Sequence, residues 1–91
     1  MSLPEQSRPR LARGVRLQAD PKTGQPVLLF PEGVLFLSET AKDILARCQG
    51  GETIAELVAS LAQEYDADRE TLRQDVLDCL GDLYQRNLVI F

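Results

Sequence analysis

Val15, Leu17 and Ala19 alternate with Arg16 and Gln18, the period-two pattern of a half-buried strand. Asp20-Pro21-Lys22-Thr23-Gly24 interrupts it with turn residues. Residues 27–30 then predict a second strand, paired with the first as a hairpin. Pro31-Glu32-Gly33 predicts another tight turn, and Val34, Leu35, Phe36 and Leu37 a third strand that is apolar on both faces. Past Ser38 the period lengthens to that of a helix. Ser38 is a good N-cap, and Glu39 sits where the helix dipole favours an acid. Ala41, Ile44, Leu45 and Cys48 mark one face of this first helix, and Gly50-Gly51 ends it, because glycine takes the left-handed conformation without steric cost. Thr53 and Glu56 have the spacing of a capping box. Ile54, Leu57, Val58, Leu61 and Tyr65 form the apolar face of a second helix. Asp66 or Asp68 caps a third, over 69–86, that Asn87 can end. Residues 88–91 are an apolar tail, expected to pair as a strand or pack on the core.

Three strands followed by three helices predict an α+β fold. The architecture is winged-helix-like: a three-stranded antiparallel meander followed by a three-helix bundle. Residues 1–13 carry two prolines, three arginines and few apolar side chains, and are expected to form a flexible basic arm. Residues 14–91 are expected to form one domain.

The third helix has a wider apolar stripe than one neighbour requires. At about 100° per residue, Leu72, Val76, Cys79 and Leu83 share a sector that suffices as a core face. Leu80 lies at its edge. Arg73, Leu77 and Tyr84 lie further round, and Gly81 beyond them. Two readings compete. Either the first strand or the C-terminal tail covers Leu77 and Tyr84, or these residues wall an exposed groove. Gly81 allows a close backbone approach beside that stripe, or is simply a tolerated surface glycine; in mid-helix it costs about 1 kcal/mol relative to alanine. The third strand poses a matching problem, since one of its two apolar faces is left over. As the last strand of a meander it is also an edge, which can accept a peptide as an added strand or be covered by self-association.

Composition narrows the functions. The 91 residues contain no histidine, which removes the commonest general base and the commonest metal ligand. No nucleophile, base and orienter are set together, no phosphate-cradling glycine loop occurs, and the two cysteines fit no metal motif. Cys48 and Cys79 lie in helical apolar patterns; buried free thiols are the favoured reading, with a disulfide left open. An enzyme is therefore not expected, nor a cofactor. No apolar run is long enough to span a membrane, and residues 1–10 lack the apolar core of a secretory signal, so a cytoplasmic protein is expected. Charge is divided: residues 1–16 carry four arginines against Glu5, while the remainder carries six basic and thirteen acidic residues. Asp75, Asp78 and Asp82 lie on the outer face of the helix that would read DNA in a winged helix, which argues against nucleic acid as a partner.

Order and spacing together carry a resemblance. The segment LLFPEGVLFLSETAKDILARCQGGETIAELVASLAQEY (residues 28–65), then DVLDCLGDLYQRNLV (residues 75–89), resembles PqqD, the coenzyme PQQ synthesis protein D family. PRLARGVRLQAD (residues 9–20) also fits. The distinctive pieces are the PEG turn at 31–33, TAKDIL at 40–45, the glycine pair followed by Thr53, and Asp75-Val76. The resemblance implies a non-catalytic recognition element for a ribosomally made precursor peptide. Such a domain binds the precursor PqqA and presents it to PqqE, a radical S-adenosylmethionine enzyme that crosslinks a glutamate and a tyrosine of that peptide. In related recognition domains the leader peptide adds to the third strand and packs on the third helix. Carried over, the edge is Val34, Leu35, Phe36 and Leu37. The helix wheel supplies the wall: Arg73, Leu77, Leu80, Gly81 and Tyr84. The alternatives are a recognition domain for a different modified peptide, a homodimerisation domain that buries the same edge, and an acidic winged helix acting in transcription.

Overall fold

The computed structural model describes residues 5–91. Strands β1 (Arg10–Leu11), β2 (Arg16–Ala19), β3 (Pro26–Phe30) and β4 (Gly33–Phe36) precede helices α1 (Glu39–Gln49), α2 (Ile54–Tyr65) and α3 (Arg69–Gln85), and β5 (Val89–Ile90) closes the chain. The fold is α+β, with β2-β3-β4 forming the expected antiparallel meander. In the first hairpin the Asp20 carboxylate accepts from the Thr23 hydroxyl at 2.8 Å, and Gly24 N–H donates to Asp20 O at 2.8 Å. The second hairpin needs only Pro31 and Glu32 between the paired residues Phe30 and Gly33. Proline costs nothing there, because a turn uses no ladder donor at that position.

Each helix begins on the residue type that satisfies its free amides. Ser38 accepts from Ala41 N, Thr53 and Glu56 form a reciprocal capping box, and Asp68 accepts from Thr71 N. Asp66 serves a different end: it takes the left-handed conformation (φ 49°) that closes α2. Asn87 does the same after α3 (φ 63°). There, Asn87 N–H donates to Tyr84 O and Leu88 N–H to Leu83 O, a Schellman closure that turns Leu88 and Val89 inward. The tail thus does both things expected of it: it pairs as a strand and fills the core.

Leu28 of the sheet, Ile44 and Leu45 of α1, Ile54, Leu57 and Leu61 of α2, and Val76 and Leu80 of α3 are all buried in one core. At roughly 1.5–3 kcal/mol per large aliphatic side chain removed from water, this cluster drives folding. Tyr65 is the exception on the apolar face of α2; it is exposed, and its hydroxyl donates to the Asp43 carboxylate.

The flexible arm does not hold for residues 5–13, and residues 1–4 lie outside the described part of the chain. Ser7 and Glu5 carbonyls accept from Ile54 N and Ala55 N, each at 3.0 Å, so this segment satisfies amides that α2 cannot. Pro9 is fully buried. Arg10 and Leu11 pair with Ile90 and Val89 as β1–β5, a partner the short apolar tail needs. The segment is polar in composition, yet the groups it satisfies belong to elements more than forty residues away.

Candidate functional site

The register of β4 determines which of its backbone groups are free. Gly33 faces Phe30 across a two-residue turn, and Leu37 N–H donates to Pro26 O at 2.9 Å. In an antiparallel ladder, hydrogen-bonded pairs alternate with non-bonded ones. Gly33, Leu35 and Leu37 therefore direct their N–H and C=O groups at β3. Val34 and Phe36 direct theirs outward, at the edge of the sheet. The side chains sort the same way. Leu35 and Leu37 pack against the core, whereas Val34 and Phe36 are 51% and 59% exposed. The two side chains sit two residues apart on one face of the edge strand, and their exposure coincides with four backbone groups that have no partner among the described residues.

The sequence-derived wall on α3 divides into parts. Leu80 does not belong to an exposed wall: it is fully buried, because the inward face of α3 is centred on Val76 and Leu80 rather than on Leu72 and Cys79. Cys79, assigned to the core face, is only half-buried. Leu77 is half-buried against the same core as Leu35 and Leu37. Tyr84 is exposed but leans on Phe91, with ring centroids 5.2 Å apart, so the C-terminal tail covers part of the stripe. Among the described residues Gly81 faces open space; a Cβ there meets none of their atoms within 4 Å. A shallow depression of about 230 Å³ lies over it, bounded by Leu77, Asp78, Asp82 and Gln85.

Arg73 is already engaged. Its guanidinium contacts Glu5 at 3.2 Å and Glu70 at 3.4 Å. The hydrogen bond and charge of Glu5, then Glu70, push its pKa further up, so it stays a cation at every relevant pH. The pairing with Glu5 was not readable from the sequence, because Glu5 belongs to the segment expected to be free.

The two thiols are free. Burial, then the nearby Cys79 and Glu52, pushes Cys48 up to about 12; burial, then Asp82, pushes Cys79 up to about 11. Both remain thiols at neutral pH and are poor nucleophiles.

The sequence profile described as "Coenzyme PQQ synthesis protein D (PqqD)" matches residues 26–89. A "PqqA binding protein" of Xanthomonas axonopodis pv. citri (strain 306) is 40% identical over 83 residues, covering 91% of this chain and 90% of that protein. The solution structure of the PqqD truncation of Methylobacterium extorquens PqqCD, described as a functional, stand-alone recognition element for ribosomally synthesised, post-translationally modified peptides, superposes with a TM-score of 0.79. It is 36% identical and the match covers 91% of this chain and 88% of that one. Lasso peptide synthetase B1, solved in complex with its leader peptide, has the same fold at a TM-score of 0.80 and 24% identity, over 93% of this chain and all of that one.

Proposed function

The chain belongs to the PqqD family, and on that premise we propose that it binds a ribosomally made, PqqA-like precursor peptide and presents it to a PqqE-like radical S-adenosylmethionine enzyme, without doing chemistry itself. The observation that carries this reading is the open edge of β4, where Val34 and Phe36 expose both their backbone groups and their side chains. A disordered peptide adds there as a fourth strand. It makes about four backbone hydrogen bonds, each contributing about 1 kcal/mol net. Two or three apolar side chains entering beside Leu35 and Leu77 contribute about 1.5–3 kcal/mol each if fully buried. Ordering the peptide costs about 2–5 kcal/mol. The balance falls near micromolar affinity, about −8 kcal/mol, which suits a carrier that must release its cargo.

Leu77 and Gly81 form the helical side of this reading, and Tyr84 joins it with Phe91 at its back. An acidic residue of the peptide reaches Arg73 only by displacing Glu5. Residues 5–91 act as one recognition domain, and a cytoplasmic location follows from the ribosomal origin of the peptide; no described helix is long and apolar enough to cross a membrane.

The test is an amide NMR titration with a PqqA-like peptide. Shifts concentrated in residues 33–37 and along α3 from Arg73 to Tyr84 are expected. An unchanged spectrum at high peptide excess would remove the reading. A second reading rests on the same exposed Val34 and Phe36: two copies pair edge to edge through β4. Sedimentation separates the two, since a tight dimer of this kind buries the edge a peptide would need and persists when peptide is added, whereas a peptide carrier sediments as a monomer with its peptide.

A further inference from the structure

At the turn end of β4 a second cavity, of about 440 Å³, opens between the sheet and the end of α3. Val15, Phe30 and Leu88 give it apolar walls, and Arg13, Arg86 and Asn87 give it polar ones. Pro31 and Glu32 of the turn complete the rim. Arg13 stands at the tip of the tight turn closed by Val15 N–H on Ala12 O at 3.1 Å, with Gly14 in the left-handed conformation (φ 84°) behind it. Arg86 is held by Asp82 at 3.1 Å. Arg13 has no such partner: among the described residues no carboxylate oxygen lies within 4 Å of it, nor of Arg10 or Arg16 on the strands flanking the same turn. Elsewhere the chain is acidic, and the outer face of α3 carries Asp75, Asp78 and Asp82.

Resting on the strand-addition reading, we infer that this cavity is a subsite for a carboxylate side chain of the bound peptide, taken by Arg13. A strand added antiparallel to β4 runs from the Leu37 end toward Gly33. Its next residues, at about 3.3 Å each, arrive at the Pro31–Glu32 turn. Charge then selects what is seated there. An acidic side chain passing the aspartates of α3 is repelled, and the unpaired guanidinium of Arg13 is where it is attracted. The apolar walls accept the methylenes of a glutamate. Glu32 on the rim opposes the same carboxylate, which favours an approach from the Arg13 side. The precursor is thus specified as an extended segment followed, within about two or three residues of the one facing Val34, by an acid.

The test is a double-mutant cycle on the full chain, with a synthetic PqqA-like precursor peptide in which each Asp or Glu is changed in turn to its amide. One amide change, C-terminal to the strand segment, weakens binding roughly fivefold, the scale of one partly exposed ion pair. Arg13→Gln weakens it equally, and the two together no further. Raised salt reduces the wild-type affinity toward that of Arg13→Gln. Arg13 is an exposed turn residue, so an unchanged melting temperature is expected for Arg13→Gln. Wild-type affinity in Arg13→Gln, additive losses, or an essential acid on the N-terminal side of the strand would each overturn the subsite. In those cases the Val34 and Phe36 amides still shift on binding; if they do not, strand addition itself has failed.

Discussion

Val34→Pro separates binding from folding on β4. In the free protein the Val34 N–H points away from β3, so proline removes no hydrogen bond the fold uses. The side chain is 51% exposed, so little burial is lost, and edge strands tolerate proline with its nitrogen toward solvent. An added peptide, however, loses one of about four backbone hydrogen bonds. The carbonyl meant for Val34 is left unpaired and the ring's Cδ stands in its way, for a total of about 1–2 kcal/mol, or roughly five- to thirtyfold in Kd. Leu35→Pro gives the opposite result. Its N–H belongs to the pair with Leu28 and its side chain packs on the core, so the domain itself is destabilised. Calorimetric titration with a PqqA-like peptide reads the affinity, and thermal denaturation followed by circular dichroism reads the fold. If Val34→Pro melts far below wild type, the assignment of outward groups to Val34 and Phe36 is wrong. If it melts normally and binds with unchanged affinity, the peptide does not add to this edge.

Three further outcomes follow from the helices. Gly81→Ala stabilises the domain by about 0.5–1 kcal/mol in denaturant titration, because the new methyl meets open space and mid-helix glycine is entropically costly; a simultaneous fall in peptide affinity assigns the Gly81 depression to the groove. Thr53→Ala breaks the capping box that starts α2 and lowers stability by about 1 kcal/mol, read from the shift in denaturation midpoint. Cys48 and Cys79 titrate near 12 and 11 when folded, against an ordinary value near 9, so the unfolded chain loses these protons first. Their contribution to stability is full below about pH 9 and is lost as pH rises through 11 to 12; thiolate ultraviolet absorbance that appears at pH 9 in folded protein would contradict their burial.

Periodicity and capping chemistry are local, and the elements they define were legible for that reason. The switch from period two to a helical repeat at Ser38, the Thr53 capping box and the turn residues at 20–24 and 31–33 each act within a few residues of themselves. The alternation on β4 was legible too, since in a strand two apolar faces cannot both turn to one core. What the chain order left open was pairing between distant segments. Residues 5–11 look solvated by composition, yet their carbonyls and strand groups satisfy α2 and β5, whose needs appear only once α1, α2 and α3 have packed. Glu5 on Arg73 and Phe91 on Tyr84 follow from that docking. The rotation of α3 was also undetermined. A wheel with a wide stripe permits several inward directions, and packing against α2 and β5 selected the one that buries Leu80 and leaves Leu77 half-covered. Local free energies set the elements here, and the satisfaction of buried apolar and backbone groups across the whole chain set which faces remained open.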